Sequence, residues 1–271
     1  MANDYTNMLA PPDHTRKVPV PNWAVKGKLE EGYIKDDGAH VREAFTASMP
    51  GRHKGRTAFV AGCGPSMGMV SQGQIEKLIR ASKSVVWAVN DVWKVCDGQP
   101  LNAADYLVVL DEDHWTGFRS LFGKYLAANP FCLPVLSFDP AELINRYQRI
   151  GIDMSRPSSS VGEYEMGKFF YGESGGIAAI QMAMHCGCDL IYLLGHDLTS
   201  KDGRSHGWGA RRTEEVNQSY PQGRSMEAGY AVLRRHADEL GIRIVNLSPI
   251  SILTCFEKSS VEAEIKKSKS K

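Results

Sequence analysis

The feature that most constrains this chain is a recurring unit: a short apolar run, a glycine-rich or polar corner, then a helical pattern. Thr57-Ala58-Phe59-Val60-Ala61 leads into Gly62-Cys63-Gly64-Pro65-Ser66. Residues 84–89 end at Asn90-Asp91, and residues 106–110 end at Asp111-Glu112-Asp113-His114. Leu190-Ile191-Tyr192-Leu193-Leu194 ends at Gly195-His196-Asp197. Short apolar strands separated by helical stretches require a sheet buried on both faces. The expected fold is therefore α/β and Rossmann-like: one domain, with a mainly parallel sheet and helices on both faces.

Composition narrows the class. At 271 residues the chain can bury one large core. A net charge of +1 gives no global signal for nucleic acid or a charged membrane surface. No apolar run approaches the roughly 20 residues needed to span a bilayer. The first residues lack a basic segment followed by an apolar one, so a cytoplasmic location is expected. The six cysteines are scattered, and Cys186-Gly187-Cys188 is too tight for ordinary zinc or redox spacing. They read as reduced packing residues.

Residues 1–54 carry Pro11, Pro12, Pro19, Pro21 and Pro50 and read as an N-terminal extension with one short helix over 40–47. The nucleotide-binding domain is expected over 55–258. Strands are expected over 57–61, 84–89, 106–110, 132–138, 190–194 and 243–247. Helices are expected over 72–81, 117–128, 175–186 and 225–240, the last with Ala228, Val232 and Leu240 on one face. Residues 139–172 read as a long irregular loop of the kind that forms a lid. Residues 259–271, rich in lysine, read as a disordered basic tail.

In an open parallel sheet, ligands bind outside the carboxyl ends of the strands. The candidate list follows: Gly62, Gly64, Pro65, Ser66, Asn90, Asp91, Asp111, Gly195, His196, Asp197, Ser248 and Ser251. Gly62 and Gly64 let a phosphate approach the backbone, and Pro65 suits a first helical position. A plain strand–helix corner explains the same glycines equally well. Ser174 can cap a helix whose first two residues, Gly175 and Gly176, are poor helix formers. Either that helix packs close to the sheet or a ligand approaches its backbone. Asp111 and Asp113 have the spacing of a divalent-metal pair, which would take Mg²⁺ or Mn²⁺, or else they form a solvated turn. His206 lies in a glycine-rich loop with Trp208, where it is either an exposed side chain or a general base. No cofactor is firmly indicated.

As a set these residues resemble a known family. Glu173-Ser174-Gly175-Gly176, Ile191-Tyr192-Leu193-Leu194-Gly195-His196-Asp197, Ser205-His206 and Leu247-Ser248-Pro249-Ile250-Ser251-Ile252-Leu253 follow the motif order of the Campylobacter-type bacterial sialyltransferases. Gly62-Cys63-Gly64-Pro65-Ser66 matches that family's first motif, and Asn90 its ribose-contacting asparagine. The framework is also similar to pterin pyrophosphokinase-like domains and to related phage proteins. The resemblance implies a glycosyltransferase that takes a nucleotide-activated donor, favouring a CMP-sugar, and a hydroxyl acceptor. The donor nucleotide would lie across residues 62–66, Asn90 and residues 174–176. His206 or Asp111 would take the acceptor proton. The alternatives are an Mg²⁺-dependent pyrophosphokinase of a pterin-like alcohol and a non-catalytic accessory protein, and homo-oligomerisation is compatible with each. Two positions depart from the sialyltransferases: Ala210 stands where they carry a second histidine, and Leu198-Thr199 follow Asp197 in place of phosphate-holding tyrosines.

Overall fold

The computed structural model describes residues 42–44, 49–91, 101, 104–129, 132–136, 149–151, 174–202 and 223–270. Its strands are β1 (Arg42–Ala44), β2 (Thr57–Ala61), β3 (Val85–Val89), β4 (Tyr106–Val109), β5 (Leu133–Leu136), β6 (Arg149–Gly151), β7 (Leu190–Leu194), β8 (Arg243–Asn246) and β9 (Glu257–Lys258). They form one sheet in the order β1-β6-β5-β4-β3-β2-β7-β8-β9. Every neighbouring pair is parallel. The chain builds outward from β2 through β3, β4 and β5, then returns to β2's other side with β7. The order therefore reverses between β2 and β7, and a crevice opens at such a reversal.

Among the described residues five α-helices cover the sheet: α1 (Gln72–Ser82), α2 (Glu112–Ala128), α3 (Gly175–His185), α4 (Gly223–Glu239) and α5 (Val261–Lys269). The two-residue period of β2 divides the core. Ala58 and Val60 pack in one cluster with Ile177 and Ile180 of α3 and with Tyr230 and Leu233 of α4. Phe59 and Ala61 pack in the other with Ile75, Phe122 and Ile265, from α1, α2 and α5. Residues from Gly176 to His185 are all buried, so α3 is sandwiched rather than amphipathic. Among the described residues no helix is long and apolar enough to cross a membrane. Cys63, Cys132, Cys186, Cys188 and Cys255 are free thiols, and burial pushes the Cys186 thiol upward and the Cys188 thiol up to about 12.

The strand and helix order matches the sequence reading, with corrections. Residues 42–44 form an edge strand instead of a short helix, because pairing with β6 outweighs local helix preference. Residues 149–151 contribute a strand inside what reads as a continuous loop. Asp111 caps α2, which thus starts well before Gly117. Pro65 opens a five-residue 3₁₀ turn, Pro65–Met69, while α1 begins later under a Ser71–Gln74 capping box. On α4 the buried apolar side chains are Tyr230, Leu233 and Ala237, and just beyond it Leu240 is 50% exposed. The expected tail is a helix: Ser260 caps α5, and Val261 and Ile265 are buried. Glu264 is buried there too, bonded by the Tyr192 hydroxyl at 3.0 Å, Ser259 at 2.7 Å and Lys267 at 2.6 Å.

Candidate functional site

A cleft of about 230 Å³ opens at the carboxyl ends of the central strands, where the strand order reverses. It gathers Gly62 and Gly64 after β2, Asn90 after β3, Asp111 after β4 and residues 195–199 after β7. The start of α3 and Met226 and Tyr230 of α4 complete its wall. Sequence-distant candidates thus converge at one edge, but they play different parts there.

The Gly62–Ser66 corner is closed on itself. Gly62 donates to the Leu194 carbonyl and Gly64 to the Gly195 carbonyl, each at 2.8 Å. A side chain at Gly62 would run into the Gly195 carbonyl, and one at Gly64 into the Asp197 carboxylate. The Ser66 amide donates to Asp197 Oδ2 at 2.8 Å, while Ser66 Oγ accepts from the Gly195 amide at 3.0 Å. The anion expected over this corner is therefore the protein's own carboxylate. Pro65 and Ser66 are buried and do not line the cleft. These glycines serve the close approach of two strand ends, which corrects the phosphate-turn reading at Pro65 and Ser66.

Ser248 and Ser251 also lie behind the cleft. Ser248 Oγ accepts from the amides of Gly195 (3.0 Å) and His196 (3.3 Å), and Ser251 Oγ donates to the His196 carbonyl at 2.7 Å. Together they clamp the segment 195–197. Just beyond it Leu198 takes a left-handed backbone (φ 50°), with the Ile252 amide holding the Asp197 carbonyl at 3.0 Å. Strained backbone of this kind collects at ligand sites.

The α3 corner is open by contrast. Ser174 Oγ accepts from the Gly176 amide at 3.1 Å, capping the helix. Ser174, Gly175 and Gly176 all line the cleft. A helix of this length leaves its first amides without intrahelical acceptors and carries a partial positive charge there. Packing demands glycine here too: a Cβ at Gly175 would sit 2.9 Å from Val89 Cγ1, and one at Gly176 2.7 Å from His196 Cε1 and 3.0 Å from Tyr230 Oη. Both readings of these glycines hold at once.

His196 and Asp197 form the floor. His196 Nδ1 lies 2.9 Å from Tyr230 Oη. Burial lowers the His196 pKa to about 4, against a smaller upward pull from the Val60 carbonyl, so its ring is neutral at pH 7. Nε2 is buried and makes no hydrogen bond of normal geometry. Burial raises the Asp197 carboxyl, opposed by hydrogen bonds from Ser66 and Ser248, and its Oδ1 is buried without a partner. On the opposite wall Asn90 adopts φ 55°, and its amide still pairs with Val108 at 3.1 Å. Asp91 is buried beneath it, with a carboxylate oxygen 3.2 Å from His114 Nε2, and does not reach the cleft.

Asp111 lines the cleft while its Oδ1 accepts from the His114 amide at 3.2 Å. Asp113 lies on the first turn of α2, exposed and away from the cleft lining. Asp111 is the cap, with extended backbone, and Asp113 lies within the first turn, so only one of the two carboxylates of the D-x-D spacing belongs to the cleft lining. Among the described residues, no group of three or more His, Cys, Asp or Glu could hold a metal ion. His206, Trp208 and Ala210 lie outside the described residues. The sequence reading missed Tyr230 and Met226. The buried 230, 233 and 237 spacing would have placed Tyr230 on the sheet-facing side of α4.

No family model matches this chain, nor does any curated protein. Solved structures do. The MAf glycosyltransferase from Magnetospirillum magneticum AMB-1 is similar with a TM-score of 0.52 and 14% identity, over 86% of this chain and 39% of that one. This chain thus spans about two-fifths of that protein's length. The sialyltransferase CstII from Campylobacter jejuni, solved in complex with cytidine-5'-monophosphate, is similar over 76% of this chain and 86% of that one, with a TM-score of 0.46 and 14% identity. At such identities the likeness is one of fold: this is a glycosyltransferase-like α/β fold.

Proposed function

We propose that the protein is a glycosyltransferase that takes a nucleotide-activated sugar, with a CMP-sugar as the favoured donor, and a hydroxyl acceptor. The observation that carries this reading is the cleft at the strand-order reversal, walled by the glycine start of α3. That wall offers amides and a helix dipole to a phosphate, and such preorganised donors stabilise charge as it develops on a leaving group. The cleft lining among the described residues contains no lysine or arginine. A donor with one phosphate charge suits such a wall better than a diphosphate. Asn90 and Asp111, across the cleft, are the proposed partners of the donor's hydroxyls.

In the proposed reaction the acceptor oxygen bonds to the donor's anomeric carbon. The bond from that carbon to the phosphate oxygen breaks, and the nucleoside monophosphate leaves. The acceptor's proton passes to His206, or to Asp111 in its place. His206 belongs to the segment between Thr199 and Met226, both of which line the cleft.

The test is a thermal-shift series with CMP, UDP, GDP, ADP and ATP, with and without Mg²⁺, followed by turnover of a CMP-sugar. A ligand at 100 times its dissociation constant adds about 2.7 kcal/mol of stability. CMP should give the largest shift. With turnover in hand, His206→Ala should lower it by roughly 10²–10⁴ while leaving CMP affinity nearly unchanged. No stabilisation by any nucleotide at millimolar concentration would end the transferase reading.

A further inference from the structure

Asn90 and Asp111 stand at the ends of neighbouring strands, and one buried residue beneath them, His114, is joined to both. Asn90 takes a left-handed backbone, φ 55°, directly before Asp91. A residue other than glycine keeps that conformation where its surroundings impose it. Two contacts do so here. The Asn90 amide donates to the Val108 carbonyl of β4 at 3.1 Å. The next side chain, Asp91, is 1% exposed, with Oδ1 3.2 Å from His114 Nε2. A carboxylate is costly to bury without such a partner, so this contact fixes the chain just past Asn90.

His114 reaches Asp111 by a second route. It lies on the first turn of α2, and its amide donates to Asp111 Oδ1 at 3.2 Å. The Trp115 amide holds the Asp111 carbonyl at 3.0 Å. The His114 ring packs against Phe118, with centroids 5.0 Å apart, and meets Phe122 edge-on at 5.8 Å. A ring held by two aromatic neighbours keeps both its nitrogen and its backbone in place. His114 therefore sets two cleft-lining groups from below without lining the cleft itself.

We propose that His114 is a positioning residue for a ribose: it holds Asn90 through Asp91, and Asp111 through its own amide, so that both present polar groups to two adjacent hydroxyls. That the ligand is a ribose rests on the nucleotide-donor reading; the coupling of Asn90 to Asp111 through His114 does not. The chemistry of this wall suits a diol. A carboxylate repels a phosphate and accepts from a hydroxyl, while an amide side chain can both donate to a hydroxyl and accept from it.

The test titrates the full chain with CMP and with its dideoxy analogue, which lacks both ribose hydroxyls. Wild type should favour CMP by at least about tenfold, the worth of one hydrogen bond to a charged group. Asp91→Ala should cut that preference to about threefold or less while binding of the dideoxy analogue holds. Asp91→Asn, which still offers an acceptor at the same place, should keep the preference. His114→Phe retains the aromatic packing without the nitrogen and should match Asp91→Ala, with the double variant no worse than either. The double variant replaces both partners with apolar groups, so it carries the test should a single variant unfold. Without ligand, amide exchange at Asn90 should quicken in Asp91→Ala and His114→Phe while exchange in α5 stays as it was. Equal losses for the two ligands would make the pair merely structural and overturn the proposal, as would Asn90 exchange that ignores both substitutions. A wild type that binds CMP and its dideoxy analogue alike would overturn the ribose assignment. Failure of every nucleotide to bind, with Asn90 exchange still quickened, would remove the donor reading and leave His114 holding Asn90.

Discussion

The two glycine corners of the cleft look alike in sequence and differ in what their amides do. At residues 62–66 the Gly62, Gly64 and Ser66 amides all have protein acceptors, the last of them the Asp197 carboxylate. At the start of α3 the Gly176 amide is capped by Ser174, and Ser174, Gly175 and Gly176 all line the cleft. A glycine corner is thus an anion site only where its donors are left over. The closed corner fixes the geometry of the strand-order reversal, and the open one is where we propose that the phosphate binds.

The sharpest way to break this contrast is to add one methyl group to each corner. Gly195 sits at φ 80°, and a Cβ there would lie 2.6 Å from the Gly62 carbonyl oxygen and 2.7 Å from Met67 Cγ. Gly195→Ala combines a left-handed alanine with an overpacked backbone contact and should lower unfolding stability by up to about 5 kcal/mol. Gly175→Ala meets only the Val89 side chain, which can shift, and alanine is favoured over glycine in a helix by about 1 kcal/mol. Its stability should change little while phosphate binding falls. Urea unfolding of both variants measures the difference, and equal losses would erase the distinction between the corners.

The second test is electrostatic. His196 has a folded pKa of about 4, below its ordinary 6.5, because burial disfavours the imidazolium. Between those values the unfolded chain takes up a proton that the folded one refuses. The His196 contribution is therefore complete above pH 6.5 and is lost as pH falls towards 4, by at most about 3 kcal/mol. Asp105 works the other way in the same window: burial raises its pKa from 3.8 to about 6, so its share of stability falls as pH rises from 4 to 6. The measurement is accordingly the difference between wild type and His196→Asn across pH 4–7. A difference that stays constant with pH would mean that the folded ring takes up its proton over the same pH range as the unfolded one, so that burial does not shift it.

Much of this architecture was legible in the chain. Thr57–Ala61 and Leu190–Leu194 are strands with the same bounds as their apolar runs. Those runs are buried on both faces, so hydrophobicity alone delimits them. What escaped depends on partners remote in sequence. Residues 42–44 are a strand only because β6 lies alongside. The lysine-rich end is helical because Val261 and Ile265 find a core to enter and Glu264 finds Tyr192. In the cleft, Ser66, Ser248 and Ser251 read as ligand contacts because they end or follow strands. Their hydroxyls instead hold the backbone of residues 195–196, a role that only the reversal of strand order between β2 and β7 creates.

A smaller effect is expected at the cap of the open corner. Ser174→Ala removes one side-chain acceptor from the first turn of α3 and should cost about 1 kcal/mol of stability. At the closed corner Ser66→Ala removes the acceptor of the buried Gly195 amide, but Ser248 Oγ still accepts from that amide at 3.0 Å. Thermal melts should therefore show a similar or smaller loss for Ser66→Ala. Only Ser174→Ala should also weaken phosphate. Weakened phosphate binding in Ser66→Ala would reopen the first corner as an anion site.

The smallest expected effect lies at the acidic corner after β4, which tests whether the cleft's anion is met by amides alone. Asp111 lines the cleft with one oxygen engaged by the His114 amide, whereas Asp113 is exposed on another side of α2. Asparagine caps helices about as well as aspartate, so Asp111→Asn should keep stability within roughly 0.5 kcal/mol. Asp113→Asn should leave both stability and turnover where they are, apart from the few tenths of a kcal/mol an acidic residue adds beside a helix start. If the α3 wall supplies the positive end for the departing phosphate, turnover should also survive EDTA. Activity that stops in EDTA, returns with Mg²⁺ and is lost equally in Asp111→Asn and Asp113→Asn would show that these two carboxylates share an ion. In that case the amides of α3 would not be the main electrostatic partner of the donor. Loss in Asp111→Asn alone, without sensitivity to EDTA, would instead identify Asp111 as the group that receives the acceptor proton in place of His206.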